Sequence, residues 1–154
     1  MLLYRLASAF EKEEIDYAVV GGLAVALHGV VRSTIDLDII IKFTLSNFIK
    51  VEKVLNELGL VANLPLVARD VFNYREEYIK NRNLIAWSFT NPAAPVEVVD
   101  IIITHDLKNM KRDTLRIGRH LVKVIGVTEL IKMKKESNRP QDREDIKALM
   151  ELKK

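Results

Sequence analysis

The chain of 154 residues contains no cysteine. That excludes a disulfide framework, a thiolate zinc site and a cysteine nucleophile. It fits a cytoplasmic setting, where thiols stay reduced, without requiring one. Four prolines and six glycines are few, and no low-complexity tract, repeat or linker interrupts the chain, so one domain spanning residues 1–154 is expected. No apolar run approaches the length that crosses a bilayer, and no membrane partner is expected. The first fourteen residues, MLLYRLASAFEKEE, do not read as a secretory leader, because Arg5 and then a run of charges interrupt the apolar positions. Charge of one sign is also scarce. The net charge of +3 is a small excess, compatible with a phosphate-bearing substrate and a poor argument for a nucleic-acid binder.

What is present is an ordinary globular balance, 49% hydrophobic and 29% charged, on a chain long enough to bury a core without staples. Periodicity predicts helices over 2–14, 23–28, 45–58, 66–80 and 106–112, one from Thr128 to about Glu136, and one opened by Pro140 with Ile146, Leu149 and Met150 inward. Strands are predicted over 17–20, 37–41, 84–89 and 96–103, with a turn at 91–95 and a hairpin around Gly118–Arg119. Helices and strands alternate early and segregate late. The expected class is α/β or α+β, a mixed β-sheet with helices packed mainly on one side.

Chemistry concentrates in Tyr17–Ile41, YAVVGGLAVALHGVVRSTIDLDIII. A strand runs into Gly21–Gly22 and then into a helix, and thirteen residues lie between Gly22 and Asp36. On a strand, residues i and i+2 share a face about 7 Å apart, so Asp36 and Asp38 project together and Leu37, Ile39 and Ile41 project the other way. Two carboxylates at one mouth repel unless a cation sits between them, and hard cations such as Mg²⁺ or Mn²⁺ take oxygen ligands. Asp is a poor strand former, so propensity does not explain the pair. A glycine pair between strand and helix lets backbone approach a ligand closely, and amides at a helix start favour an anion.

The pattern of two glycines after an apolar strand, a spacer, and Asp-Leu-Asp within apolar residues resembles the core motif of the nucleotidyltransferase superfamily, the DNA polymerase β-like fold. The second glycine is often serine there. Gly22 stands in its place, leaving backbone amides to meet the phosphates. The superfamily places a third carboxylate on a neighbouring strand. Glu97 and Asp100 both qualify, with opposite parity. Asp100 is chosen because it is central in its strand and is followed by apolar residues. The fuller string, with His28-Gly29, Arg32-Ser33-Thr34 and the C-terminal LIKMKKESNRPQDREDI, resembles the AbiEii-type branch.

The resemblance implies Mg²⁺-dependent transfer of a nucleoside monophosphate from a nucleoside triphosphate such as ATP to an acceptor hydroxyl or phosphate. Asp36, Asp38 and Asp100 are the expected catalytic and metal-holding residues. Gly21, Gly22, Arg32, Thr34 and Lys132 are the expected nucleotide-side residues. The acceptor could be a protein or a tRNA, as in a toxin–antitoxin role, or a small molecule. Antibiotic modifiers commonly add a helical acceptor domain, for which 154 residues leave little room; a homodimer would supply the missing wall. A scaffold that keeps the fold without turnover is the alternative from another class.

Elsewhere the plainer readings are preferred. His28 is expected to cap its helix, Tyr74 and Tyr78 to pack in the core, and Lys135 and Arg139 to lie on a solvated face, with Asp142 a candidate for the acceptor side. His105 and His120 are assigned no role.

Overall fold

The computed structural model describes residues 1–154. The chain forms six helices and seven strands: α1 (Leu2–Lys12), β1 (Tyr17–Val20), α2 (Gly21–Leu27), β2 (Leu37–Ile41), α3 (Leu45–Glu57), β3 (Val61–Ala62), α4 (Ala68–Arg82), β4 (Ala86–Asn91), β5 (Ala94–Ile102), β6 (Arg112–Ile117), β7 (His120–Ile125), α5 (Val127–Ser137) and α6 (Pro140–Leu152). The strands make one mixed sheet in the order β3-β4-β5-β2-β1-β7-β6. The centre is β5-β2-β1-β7, with β2 parallel to β5, β1 parallel to β7, and β1 antiparallel to β2. Hairpins β4–β5 and β6–β7 extend it on either side. No helix is long and apolar enough to cross a membrane.

The two faces of the sheet differ in chemistry. One carries Tyr17, Val19, Ile39, Trp87, Phe89, Val99 and Ile101, all buried. Against it pack Phe10 of α1, edge-on to Tyr17, and Phe48 of α3, stacked on Trp87. Phe72 of α4 meets Phe48 edge-on and closes this layer. The opposite face is apolar at Ala18 and Ile40 but carries Ser88, Asp38 and Asp100 across three neighbouring strands. Helices α2, α5 and α6 gather on that side. Every residue of β1 is buried, as a strand covered on both faces requires.

Several local expectations shift for identifiable reasons. Residues 106–112 form no helix. The Asp106 side chain accepts hydrogen bonds from the Phe43 and Lys108 amides, Asn109 turns left-handed, and β6 begins at Arg112. The helix expected over 66–80 starts at Ala68, with Val67 exposed at its cap. It departs from helical geometry at Tyr74, which turns outward, so Tyr74 is not core. Thr128 lies inside α5 rather than at its cap, and its hydroxyl accepts from Lys153. Met150 is exposed, and the inward face of α6 carries Asp142 and Asp145 beside Leu149.

Candidate active site

Strand β1 ends at Val20, and Gly21 follows with φ of 70°, in the left-handed region. A Cβ at Gly21 would stand 2.3 Å from Asp38 Oδ2. A Cβ at Gly22 would stand 2.9 Å from a terminal guanidinium nitrogen of Arg32 and 3.3 Å from Thr34 Oγ1. Glycine is thus demanded at Gly21, by backbone conformation and by the close approach of Asp38, whereas at Gly22 the neighbour is the mobile end of Arg32, which could give way to a small side chain. The side chains that occupy the freed space are the chain's own: the Asp38 carboxylate on one side, Arg32 and Thr34 on the other.

Register brings the acids together. Asp38 of β2 is the direct partner of Asp100 of β5, and Ser88 of β4 is the direct partner of Asp100. Neighbouring strands lie about 4.8 Å apart, so the two carboxylates stand side by side. Ser88 donates its hydroxyl to Asp100 Oδ1 at 2.6 Å. Burial, then the charges of Asp100 and Asp36 and a hydrogen bond shared with Asp100, push the Asp38 carboxyl up to about 6, with Lys134 opposing. Asp36 sits just before β2 and is exposed. The acids converge without forming a ready-made cage of three carboxylate or imidazole ligands.

Glu97 has a different environment. It pairs with Arg5 and accepts a hydrogen bond from Asn91 at 2.8 Å. Those contacts, Asn91 foremost, hold its carboxyl below the usual range. It takes no part in the Asp38–Asp100 pair.

A second charged cluster lies beneath the acids, between α5 and α6. Lys134 is buried and bridges Asp142 Oδ1 at 3.1 Å and Asp145 Oδ2 at 3.0 Å, both also buried. Arg139 reaches Asp142 Oδ2 at 3.0 Å through its backbone N–H and its Nε. Arg32 Nε stands 3.0 Å from Asp145 Oδ1, tying the loop before β2 to α6. At Arg32 Nε and Asp145 Oδ2 the contact is an ion pair without the alignment of a directed hydrogen bond. Burial pushes the Asp142 carboxyl up, but hydrogen bonds from Arg139 and Lys134 outweigh it and hold the group well below the usual range.

A cavity of about 460 Å³ opens over this side of the sheet. Asp38, Gly21, Lys134 and Arg139 line one part, and Thr104, His105 and Glu136 line another.

Of the residues expected at the site, Asp38 and Asp100 pair, Gly21 abuts Asp38, and Gly22 abuts Arg32 and Thr34, while Asp36 stays exposed before β2 and reaches Asp38 only through its charge. Lys132 does not join them. It is exposed on α5 and lines a separate cavity with Lys135 and Lys153, because the side of α5 facing Asp38 belongs to Leu130 and Lys134. Lys134, Asp145 and Ser88 were not anticipated. Lys134 had a legible signal, since it follows Leu130 by four residues and Ile131 by three, at core spacing. Arg139, read as solvated, contributes to the cavity wall. His28 is the C-cap of α2, as expected, but through its backbone N–H, which donates to the Ala24 carbonyl; its ring Nε2 lies 2.6 Å from the Ile125 carbonyl and ties α2 to β7. His120 stacks on Tyr4.

No protein-family model matches the chain, and no curated protein matches it. Solved structures do. A lincomycin-bound lincosamide antibiotic adenylyltransferase, LnuA, aligns with 97% of this chain and 95% of its own at 15% identity, with a TM-score of 0.63. ANT(2'')-Ia in complex with adenylyl-2''-tobramycin aligns with 96% of this chain and 85% of its own at 12% identity, TM-score 0.60. An antigenic nucleotidyltransferase-like protein from Paracoccidioides brasiliensis aligns with 98% of this chain and 73% of its own at 19% identity, TM-score 0.59. The chain has the nucleotidyltransferase-like fold.

Proposed function

We propose that the protein is a divalent-cation-dependent nucleotidyltransferase that moves a nucleoside monophosphate from a nucleoside triphosphate to an acceptor hydroxyl or phosphate. The observation that carries this reading is the in-register pairing of Asp38 with Asp100 on a shared sheet face, with Asp36 close enough to add to the charge. Two half-buried carboxylates side by side are an arrangement that a cation relieves.

The donor set fits a hard cation. It is all oxygen, it sets two carboxylates side by side, and the cavity beside it leaves room for water and phosphate oxygens, which Mg²⁺ retains as ligands. Asp38 and Asp100 would hold the ion, with Asp36 at the mouth. When bound, Mg²⁺ or Mn²⁺ neutralises triphosphate charge and lowers the barrier to attack at the α-phosphorus. The acceptor oxygen, its proton passing to water, forms a bond to that phosphorus, the bond to the β-phosphate bridge breaks, and pyrophosphate leaves with the electron pair. The chain's own contribution is positioning. Ser88 orients Asp100, and Arg32 and Thr34 flank the glycine turn. Lys134 and Arg139 bring positive charge to the cavity wall, where phosphates would lie.

Two acceptor classes stand. The C-terminal segment LIKMKKESNRPQDREDI carries the AbiEii-type resemblance, and with it a protein or tRNA acceptor in a toxin–antitoxin setting. The match along nearly the whole of a lincosamide adenylyltransferase removes the size argument against a small-molecule acceptor. A homodimer that completes the cleft belongs to either version.

The test is incubation with each α-labelled triphosphate, Mg²⁺ and cell extract, with Asp38→Asn alongside. Label transferred by the wild type and absent with the variant is the expected result. Equal transfer by both, or a protein unaffected by Mg²⁺ and any triphosphate in thermal melting, would leave the scaffold reading in its place.

A further inference from the structure

The part of the main cavity lined by Thr104, His105 and Glu136 is not used by the proposed cation site. Thr104 lies four residues beyond Asp100 and two past the end of β5, at most about 14 Å away along the chain. That span is on the scale of a nucleoside from its α-phosphate to the far edge of its base. Between the two ends the wall is apolar: Ile85 and Ile102 from the sheet side, Leu130 and Met133 from α5. At the far end, His105 Nε2 stands 2.8 Å from Glu136 Oε2, and its Nδ1 stands 2.9 Å from Thr104 Oγ1. A carboxylate only accepts, so the ring donates through Nε2 to Glu136, and in the neutral ring Nδ1 accepts from the Thr104 hydroxyl. The chain of bonds fixes Glu136 in place while leaving Oε1 without a partner.

We propose that this part of the cavity seats the nucleobase, and that Glu136, steadied by His105, reads its hydrogen-bonding edge. The proposal rests on the nucleotidyltransferase reading and adds a base preference to it. Apolar walls suit the faces of a flat heteroaromatic ring, and a few fixed polar groups suit its rim. A carboxylate favours a base offering N–H donors. Guanine presents two side by side, its ring N–H and its 2-amino group. Adenine and cytosine each present one amino group. Uracil flanks its single N–H with two carbonyls that repel a carboxylate. The order of binding is therefore guanine first and uracil last.

The experiment measures Mg²⁺-dependent binding by calorimetry, using the four nucleoside triphosphates as α,β-non-hydrolysable analogues and inorganic triphosphate as the base-free probe. The guanosine analogue binds about tenfold more tightly than the uridine analogue, the scale of a hydrogen bond to a charged group. Glu136→Gln erases that difference and leaves inorganic triphosphate unchanged. Met133→Trp fills the apolar stretch and brings all four nucleotides down to the affinity of inorganic triphosphate. Should Met133→Trp fail to fold, Glu136→Gln decides alone, since that side chain is 53% exposed and its loss is mild. Four equal affinities in the wild type, or a preference that survives Glu136→Gln, overturns the base seat and leaves nucleotidyl transfer standing. A protein that binds neither nucleotide nor inorganic triphosphate loses both proposals.

Discussion

Two groups of charged side chains meet on one side of the sheet, and they are built on opposite terms. Between α5 and α6, Lys134 sits between Asp142 and Asp145, with Arg139 and Arg32 closing the ends, so every buried charge faces its opposite. At β2 and β5, Asp38 and Asp100 face each other with Asp36 nearby, so like meets like. The first group holds Asp142 well below the usual carboxylate range, while the second pushes Asp38 up to about 6. A paired cluster orders helices. An unpaired one is a place where the fold accepts a cost that a ligand can remove.

The strongest way to break the comparison is to unpair the paired cluster. Lys134→Met leaves two buried aspartates facing only Arg32 and Arg139, and should cost about 3 kcal/mol, as removal of one partner from a buried ion pair does. Urea denaturation measures it. Because Lys134 also opposes the upward push on Asp38, the same variant should raise that carboxyl further. A neutral effect on stability would mean the α5–α6 cluster is not an ordering device.

The reverse experiment relieves the unpaired cluster. Asp38→Asn should stabilise the metal-free protein by about 2 kcal/mol at pH 7.5, a figure reduced for partial exposure. It should also abolish any rise in melting temperature on adding Mg²⁺. The two clusters separate by pH as well. Asp38 is raised in the fold, so between about 4 and about 6 the native state holds the extra proton and stability falls as pH rises. Asp142 is depressed, so its contribution is present above the ordinary Asp value and is lost as pH falls below it. Metal-free melting should therefore peak near pH 4 to 5, and Asp38→Asn should flatten only the upper side. A wild-type profile flat from 4 to 6 would contradict the raised Asp38.

A smaller effect should come from Ser88→Ala. It removes one hydrogen bond to Asp100, worth about 1 kcal/mol, and frees that carboxylate to rotate. Mg²⁺-dependent stabilisation should weaken without vanishing, as read by melting with and without the ion.

How far this was legible in the chain follows the same division. Strand parity, a local rule, set Asp36 and Asp38 on one face, but β2 begins at Leu37 and Asp36 is exposed before it; that Asp100 lies beside Asp38 is a matter of register between strands, which parity does not give. The glycine turn was readable locally, although the occupants of its freed space were not, since Asp38 and Arg32 reach it only through tertiary packing. The α5–α6 cluster was misassigned by two residues, Lys132 in place of Lys134. Charge counts on a helix do not say which face turns inward; the Leu130–Lys134 spacing does, and Lys134 is buried. The irregular stretch 106–112 was lost to a side chain, Asp106, that serves the backbone better in a turn than in a helix. The His105–Glu136 pair was out of reach, because its partners are far apart in sequence and meet only where α5 crosses the end of β5.

The smallest effect is expected from Glu97→Gln, and its smallness carries the argument about the third acid. Glu97 and Asp100 share a strand, three residues apart, and so face opposite sides of the sheet. Asp100 lies beside Asp38, in register. Glu97 is held by Asn91 and Arg5, and its carboxyl is already satisfied below the usual range. Exposed pairs of that kind contribute little to stability. Glu97→Gln should therefore leave both the metal-free melting temperature and the Mg²⁺-dependent rise unchanged, while Asp100→Asn removes the rise. Loss of the rise in Glu97→Gln, with Asp100→Asn unaffected, would transfer the third carboxylate to the other face of β5. The proposed site, which depends on the Asp38–Asp100 register, could not survive that result, because no side-chain rotation carries a strand residue through the sheet.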